Sequence, residues 1–358
     1  MDWEFQTNHE IIVRARRNAT GPVWDYLAGG SETETSMRRN RQALDSLAFI
    51  PRVLRDVSDI DLSTTILGHS SSLPIFLAPV ASLQIVTPGG SLCCDDAAEE
   101  LGLINIQSGH TEPSLEEIGL NTLHPKFYQI YVRGGIEWIK DLLGRAKDHN
   151  FKALVVTVDT CVYSNRERQK LNGWEPPTRK NSVGREYLAG LSWDIWDEMV
   201  KIWGGPMIIK GVGTVEDALM AVEHGASAIY VSNHGGRQLD HDRGSIGVLP
   251  DIVEAVNDKA EVYVDGGFMR GTDIVKAIAL GARAVGIGKL QAFALAAGGK
   301  RGLVNCIDIL RTEIEIAMGL LGVSSLDELN PSYLAKARPV GLSHEMSAFP
   351  HLPGGRLK

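Results

Sequence analysis

A base and a cation flank two glycines in the segment 232–240, which reads Ser-Asn-His-Gly-Gly-Arg-Gln-Leu-Asp. His234 and Arg237 follow the apolar run 228–231. An imidazole takes a proton near neutral pH, and a guanidinium binds a carboxylate through two hydrogen bonds. The glycines remove side-chain bulk, so a flat ligand can approach the backbone closely. Taken by itself, this segment could be explained by a structural histidine and a surface arginine. The alternative is an active site in which a small carboxylic acid loses a proton beside a bound ring.

Other apolar runs of the chain also end in polar residues. Desolvating a polar group without a partner costs roughly a few kcal/mol, so each of these residues needs a buried partner. A structural explanation is adequate for any one of them, but a whole set at one end of the strands indicates a site. The set comprises Ser108, Gln129, Tyr131, Thr157, Asp159, Lys210, His234, Arg237, Asp265 and Lys289.

Three members of this set suggest acid–base chemistry around His234. Asp159 can pair with the imidazole and support the imidazolium that forms after proton abstraction. Tyr131 offers a hydroxyl to a substrate oxygen. Lys210 ends a buried strand, where a lone ammonium would be costly, so it indicates a region that becomes negative during turnover.

Glycines end the last two apolar runs, in Asp265-Gly266-Gly267 and in Gly286-Ile287-Gly288. On an α/β barrel this is the usual place for a phosphate. A phosphate site, a cation opposite an electron-rich ring and a base beside that ring together predict a phosphorylated flavin as the cofactor.

The elements that must position these residues are strands alternating with helices. Continuous apolar runs suit parallel strands buried on both faces, and about eight repeats of the alternation predict a (β/α)8 TIM barrel. A doubly wound sheet would show a G-x-G-x-x-G turn after its first strand, but the first run ends Ala78-Pro79-Val80-Ala81-Ser82. The predicted strands are Ile75–Val80, Ile104–Ser108, Phe127–Val132, Ala153–Asp159, Met207–Gly211, Ala228–His234, Glu261–Gly266 and Ala284–Gly288.

A single domain over 1–358 is expected, with the barrel at about 73–300. The N-terminal extension is predicted to contain helices at 22–29 and 32–47, and helices follow Lys289 at the C-terminal end. Pro250 is predicted to lie in the first turn of a helix. Residues 167–192 are predicted to form a long polar loop that acts as a lid.

Composition and charge exclude several classes of protein. A net charge of −8 argues against nucleic acid as a partner. No apolar run approaches the roughly 20 residues needed to span a membrane. The start of the chain lacks a signal-peptide pattern and its end is not Ser-Lys-Leu, so a cytoplasmic location is expected. The four cysteines and ten histidines show no metal-ligand spacing, so no metal is expected.

The heptapeptide 232–238 resembles the signature of the FMN-dependent α-hydroxy acid oxidase and dehydrogenase family, to which glycolate oxidase, lactate oxidase and mandelate dehydrogenase belong. The resemblance covers nearly the whole chain and is fairly specific. Its further motifs are Trp24-Asp25-Tyr26 with Ala28-Gly29-Gly30, Arg39-Asn40-Arg41, Pro74–Pro79, Gln129-Ile130-Tyr131, Thr157–Thr160, Lys210-Gly211-Val212 and Asp265-Gly266-Gly267.

The resemblance implies a role for each matching residue. His234 is implied to be the catalytic base, with Asp159 as its partner and Tyr131 bonded to the substrate hydroxyl or keto oxygen. The substrate carboxylate is implied to bind Arg166 and Arg237 and to touch Tyr26. FMN is implied to contact Pro79, Val80, Ala81, Ser108, Gln129, Thr157, Lys210, Asp265, Gly266, Gly267, Arg270, Gly288 and Lys289.

The chain departs from the family pattern at positions that bear on binding. Val80 replaces a common threonine near the flavin. His110 stands at a position that shapes the pocket for the substrate side chain. A histidine there is explained equally well by a polar or acidic substrate and by a side chain turned to solvent. At the phosphate, Met269 replaces an arginine that precedes Arg270, and Lys289 replaces another. The loop after the fourth strand is also shorter than in glycolate oxidase.

The favoured interpretation is FMN-dependent oxidation of a small 2-hydroxy acid to the 2-keto acid, with oxygen or a soluble acceptor reoxidising the flavin. The first alternative is an amino-acid- or peptide-derived substrate in a biosynthetic pathway. A second is a non-redox FMN isomerase of the type that handles isopentenyl diphosphate, and the last is a binding module without catalysis. The resemblance also implies a homo-oligomer, with a tetramer expected.

Overall fold

The computed structural model describes residues 4–180 and 183–349. Eight parallel strands close into a barrel in chain order. Two further pairs of strands lie outside it. The strands are β1 Leu47–Phe49, β2 Thr64–Ile66, β3 His69–Ser71, β4 Ile75–Leu77, β5 Ile104–Ser108, β6 Lys126–Ile130, β7 Phe151–Thr157, β8 Met207–Val212, β9 Ala228–Val231, β10 Glu261–Val264, β11 Ala284–Ile287 and β12 Leu334–Lys336.

The barrel confirms the predicted fold class, since each predicted strand segment overlaps one of β4–β11. Several strands end earlier than predicted. The strand β9 ends at Val231, and His234 takes a left-handed conformation with φ of +58°. Such a conformation cannot continue a strand, so the residues that follow leave the barrel wall as a loop.

Aromatic side chains fill the interior of the barrel. Phe76 packs edge-on against Tyr230 and Tyr263, with ring centroids 5.2 and 5.5 Å apart. Phe127 and the small or branched residues of neighbouring strands complete this cluster. The interior is therefore a packed core, and open space is left at the strand ends.

Helices surround the barrel and extend it at both ends. The structure confirms the two predicted N-terminal helices, as α2 and α3, and adds α1, which begins with a capping box between Thr7 and Glu10. The helices are α1 Asn8–Asn18, α2 Gly21–Ala28, α3 Thr35–Asp45, α4 Leu92–Leu101, α5 Leu115–Asn121, α6 Ile136–Asp148, α7 Glu167–Leu171, α8 Pro177–Lys180, α9 Arg185–Ala189, α10 Trp193–Trp203, α11 Val215–Glu223, α12 Ser245–Val256, α13 Gly271–Ala279 and α14 Lys289–Leu321.

The prediction for Pro250 is wrong. The helix α12 begins at Ser245, so Pro250 lies inside it, and the Ile246 carbonyl loses its usual intrahelical donor. None of the described helices is both long enough and apolar enough to cross a membrane.

The C-terminal part of the chain packs back on the N-terminal extension. The helix α14 is interrupted at Gly298 and Gly299, whose backbone angles are not helical. Beyond the interruption, the Asn305 side chain bonds the backbone of Phe5 in both directions, at 3.0 and 3.1 Å. Strand β12 then pairs with β1, which brings the last described residues to the same end of the barrel as α3.

The segment 167–192, predicted as a long polar loop, contains more regular structure than expected. It carries three short helices, α7, α8 and α9, while residues 181 and 182 lie outside the described residues. Gly184 packs so closely on Arg133 that a Cβ would lie 2.2 Å from its carbonyl oxygen. The segment thus rests on the barrel rim next to the strand ends.

Candidate active site

A cavity opens at the carboxyl ends of the barrel strands. It brings together most of the residues that the sequence predicts for the site. Its lining includes Tyr26, Pro79, Val80, Ala81, His110, Tyr131, Arg166, Lys210, His234, Arg237, Asp265, Gly266, Gly267, Gly288 and Lys289. Ser108, Gln129, Thr157, Asp159 and Arg270 are not among the lining residues.

His234 and Asp159 form the pair that the sequence predicts. The Nδ1 of His234 lies 3.0 Å from Oδ1 of Asp159, and both side chains are largely buried. Gly211 makes this approach sterically possible, because a Cβ there would lie 2.7 Å from the Cβ of Asp159. With Nδ1–H donated to the carboxylate, Nε2 remains the acceptor of the ring.

Burial lowers the pKa of His234 below its usual value near 6.5, and the cations of Lys210 and Arg166 lower it further, against the opposing effect of Asp159. Burial opposes the ionisation of Asp159, yet the neighbouring basic side chains hold the pKa of this carboxyl below its usual value. The pair therefore combines a neutral imidazole with a carboxylate at neutral pH, which is the state that a general base requires.

Two arginines line the same cavity, and each is held by hydrogen bonds to neighbouring residues. Arg237 donates from Nη1 to the carbonyl oxygens of Tyr26 and Gly29 at 2.7 and 2.8 Å, and its guanidinium lies 5.1 Å from the Tyr26 ring. Arg166 donates from Nε to the Ser164 hydroxyl, which itself donates to the Arg237 carbonyl. These bonds fix both guanidinium planes before any ligand arrives.

Tyr131 and His110 stack on each other at one wall, with ring centroids 4.7 Å apart. Burial raises the pKa of the Tyr131 phenol, so the hydroxyl stays protonated and can donate. Burial and then the nearby cation of Arg133 lower the pKa of His110 to about 3. His110 is therefore a neutral imidazole, not a cation, in the free protein.

A buried row of polar side chains crosses neighbouring strands next to the cavity. The Ser108 hydroxyl donates to Gln129, whose amide donates to Thr157, at 3.0 and 2.9 Å. Lys210, on the strand beside Thr157, donates to the Ser232 hydroxyl at 2.9 Å. Lys210 lines the cavity, whereas Ser108, Gln129 and Thr157 bond to one another and are not among its lining residues.

The ring end of the cavity fits an isoalloxazine. Lys210 lies 3.5 Å from one oxygen of Asp265, whose other oxygen is buried without a hydrogen-bond partner among the described residues. Pro79, Val80 and Ala81 line the same cavity. A Cβ on Gly235 would meet nothing within 4 Å, so the loop leaves open space above it for a flat ligand.

The phosphate end also offers suitable donors. The backbone N–H groups of residues 266–268 have no hydrogen-bond partner within the described ranges, and Gly266 and Gly267 have φ of +105° and +81°. Lys289 begins α14 beside them. Free amides, a helix N-terminus and an ammonium are the donors that a phosphate needs.

Arg270 is not brought to this end. It forms an ion pair with Glu313 at 2.6 Å and lies over the ring of Phe349, outside the cavity. The backbone N–H groups of Met269 and Arg270 are also engaged, because both donate to Asp273. Met269 lines the cavity but offers no charge to an anion.

Four residues of the site have no role in the sequence prediction. Ser232 and Gln238 belong to the signature segment. Ser232 accepts a hydrogen bond from Lys210, and Gln238 donates a 2.7 Å hydrogen bond to the Asp159 carbonyl. Arg133 lines the cavity two residues after Tyr131, and alternation along the chain could have indicated it. Glu345 lines the cavity from the C-terminal end, where no local pattern points to it.

Comparison with known proteins gives a consistent result. The family described as FMN-dependent dehydrogenase matches residues 15–336. Glycolate oxidase of Spinacia oleracea is 38% identical over 354 residues, which is 93% of this chain and 96% of that protein. A peroxisomal (S)-2-hydroxyacid oxidase of Arabidopsis thaliana is 38% identical over 330 residues, 87% of this chain and 91% of that protein.

Solved structures agree with the sequence relatives. Mandelate oxidase crystallised with benzoyl-formic acid superposes with a TM-score of 0.87 at 36% identity, covering 94% of this chain and all of that chain. Mandelate oxidase with (S)-2-phenylpropionate gives the same values.

Proposed function

Because this chain belongs to the FMN-dependent dehydrogenase family, we propose that it oxidises a 2-hydroxy acid to the 2-keto acid, with His234 as the base. The observation that carries the assignment of the base is the His234–Asp159 pair facing two arginines across one cavity. FMN, when bound, accepts the two electrons of the oxidation. The fit of the two ends of the cavity to a ring and a phosphate supports this cofactor.

The proton chemistry belongs to the chain's own residues. His234 takes a proton from the substrate at Nε2, and the Asp159 carboxylate stabilises the resulting imidazolium. Tyr131 donates its hydroxyl to the substrate oxygen at which charge changes. Lys210 would hold the flavin ring, and its ammonium would favour the reduced, more negative form of the cofactor.

Arg166 and Arg237 bind the substrate carboxylate in this proposal. Two forked donors orient a planar anion as well as attract it, which places the α-carbon at a fixed distance from the base. Tyr26 supports them, because its ring lies under Arg237 and its hydroxyl bonds the Ala81 carbonyl at 3.3 Å. At the flavin, we assign Pro79–Ala81 to the ring, and residues 266–268 with Gly288 and Lys289 to the phosphate.

The substrate is proposed to carry a second polar or acidic group. Arg133 lines the cavity and donates to the Val183 carbonyl and the Tyr163 hydroxyl, but no carboxylate among the described residues pairs with it. Its buried Nε has no hydrogen-bond partner there. A guanidinium beside the neutral His110 ring favours an anionic substituent over the small alkyl groups of simple hydroxy acids.

The alternatives are less well supported. An isomerase acting on a diphosphate would not need two arginines held toward a carboxylate, and the relatives include glycolate, mandelate and 2-hydroxyacid oxidases. An amino-acid- or peptide-derived substrate would have to satisfy the same two arginines and Arg133.

Location and assembly complete the proposal. Four cysteines without a disulfide support a reducing compartment such as the cytoplasm, whereas an Arabidopsis thaliana relative is named peroxisomal. Exposed apolar side chains such as Val53 and Leu54 support a homo-oligomer, with the tetramer as the specific expectation. Light scattering of the purified protein measures the oligomer directly.

The experiment that tests the function is anaerobic flavin reduction. The holoenzyme is mixed with a panel of 2-hydroxy acids and with the amide of each acid, and loss of the oxidised flavin absorbance is followed. The acids should bleach the flavin and the amides should not. Equal bleaching by acid and amide would mean that Arg166 and Arg237 do not recognise a carboxylate, and the hydroxy-acid assignment would then be wrong.

A further inference from the structure

A carboxylate from the C-terminal part of the chain lies at the phosphate end of the cavity. Glu345 begins a short 310 turn, Glu345–Ala348, and is only 3% exposed. Its Oε2 lies 2.8 Å from Nζ of Lys289, and both residues line the cavity. The Glu345 carboxylate therefore already pairs with the Lys289 ammonium that the phosphate of FMN needs.

Lys289 has no other acidic partner within ion-pair distance in the described part of the chain. Its remaining contacts are the Met37 sulfur at 2.9 Å and the Gly235 carbonyl at 3.3 Å, both uncharged. Burial lowers the pKa of Lys289, as expected for an ammonium that has lost most of its water. Glu34 adds a favourable charge from a greater distance, but without Glu345 this buried ammonium would have no acid in direct contact.

Two arginines near this end already pair with other acids. Arg270 pairs with Glu313, and Arg41 pairs with Asp273 at 2.7 Å. A bound phosphate would bring roughly −1.5 to −2 charges to the same end. Placing like charges together costs several kcal/mol, so phosphate and Glu345 cannot both hold Lys289 without a large penalty.

We propose that Glu345 is a resident counter-ion of Lys289 which the phosphate of FMN displaces, so that Glu345 sets how strongly the protein prefers a phosphorylated flavin. The turn itself is anchored by the buried side chains of Met346 and Phe349, so the carboxylate moves by rotating its side chain. This inference rests on the proposed use of FMN, and it adds a cofactor-specificity residue outside the barrel.

Two opposite effects of one substitution test the proposal. Glu345→Gln removes the charge and keeps the shape. The apoprotein should melt at a lower temperature, because Lys289 loses its counter-ion. FMN should bind at least about tenfold more tightly, since the phosphate no longer competes with a carboxylate.

Riboflavin provides the matched ligand control, because it has the ring without the phosphate. Its dissociation constant, read from quenching of flavin fluorescence, should change less than about twofold in Glu345→Gln. Asp327→Asn provides the matched protein control, since it removes an equal charge at an exposed position and should change neither dissociation constant. A purely structural contact would lower the melting temperature without tightening FMN, and that result overturns the proposal.

A second pair of variants covers the case in which Glu345→Gln fails to fold. Lys289→Met should weaken FMN by more than about tenfold, because Glu345 then faces the phosphate alone. The double variant Lys289→Met with Glu345→Met should recover most of that loss. If the double variant binds FMN no better than Lys289→Met, Glu345 does not oppose the phosphate. If the wild type binds neither flavin, the cofactor assignment fails as a whole.

Discussion

Each end of the cavity has a basic side chain that is paired with a buried acid, but the acids come from different parts of the fold. At the ring end, Asp159 follows a barrel strand and faces His234, and its second oxygen has no hydrogen-bond partner among the described residues. At the phosphate end, Glu345 comes from beyond the barrel and neutralises Lys289.

The difference lies in what each acid does to its partner. Asp159 can stabilise an imidazolium that forms during the reaction, because His234 is neutral before the proton arrives. Glu345 pairs with an ammonium that is already charged, so it satisfies the free protein and opposes the arrival of another anion. In the proposed function, a buried acid–base pair therefore supports turnover at one end and opposes phosphate binding at the other.

The largest expected effect is at the ring end. His234→Ala should leave flavin binding largely intact and slow anaerobic flavin reduction by at least about a hundredfold, the lower range for loss of a general base. The matched control is His224→Ala, because His224 forms a similar 2.7 Å pair with Asp197 outside the cavity. Near-normal reduction in His234→Ala would assign the base to another group.

The carboxylate clamp should give the next largest effect. Arg237→Met should weaken substrate binding and slow reduction by about tenfold to a hundredfold, as expected for the loss of a hydrogen bond to a charged group. Arg237→Lys should restore charge but only part of the geometry. Stopped-flow reduction at several substrate concentrations separates the two effects, and an unchanged KM in Arg237→Met would contradict the clamp.

The pH dependence of reduction should report the state of His234. Its pKa is lowered, so the base form is lost only as pH falls through a value below 6.5, and the rate should be flat above that. The free energy of unfolding should also fall as the pH falls. A histidine whose pKa is lowered in the folded state binds its proton more readily in the unfolded state, so acid favours unfolding. Asp159→Asn removes the group that raises this pKa, so it should move the acid limb to lower pH and slow the reaction.

The smallest expected effect concerns the substrate side chain. Arg133→Met should raise KM about tenfold for a 2-hydroxy acid with a second carboxylate, and change it much less for the monocarboxylate of equal length. The monocarboxylate controls for disturbance of segment 167–192, which Arg133 also contacts through the Val183 carbonyl. Equal losses for both substrates would mean that Arg133 only holds this segment in place.

Much of the ring end could be predicted from the sequence, since local patterns carry the required geometry. Apolar runs identified all eight barrel strands, and the polar residue after each run pointed to the same edge of the barrel. Asp159 follows β7 and His234 follows β9, on either side of β8. Strand order brings both residues to the same part of that edge, and Gly211 of β8 leaves room for their 3.0 Å contact. Strand ends were less predictable, because the left-handed backbone at His234 leaves no mark in the apolar pattern.

The phosphate end could be predicted only in part. Gly266, Gly267 and Lys289 lie where the barrel places them, but Arg270 turns to Glu313 on α14 instead of the cavity. The lid segment forms short helices that its prolines and polar residues did not indicate. In both cases the outcome depends on packing against an element far away in the chain.

The sequence by itself determined the order of strands and helices, the barrel and the residues that reach its active edge, because periodicity and strand order are local properties. Only the tertiary structure decided which acid neutralises Lys289. Glu345 comes from a segment that follows β12, and its position depends on where Met346 and Phe349 find a place in the core. A charge pair between residues so far apart in the chain is set by long-range packing, which no local pattern encodes.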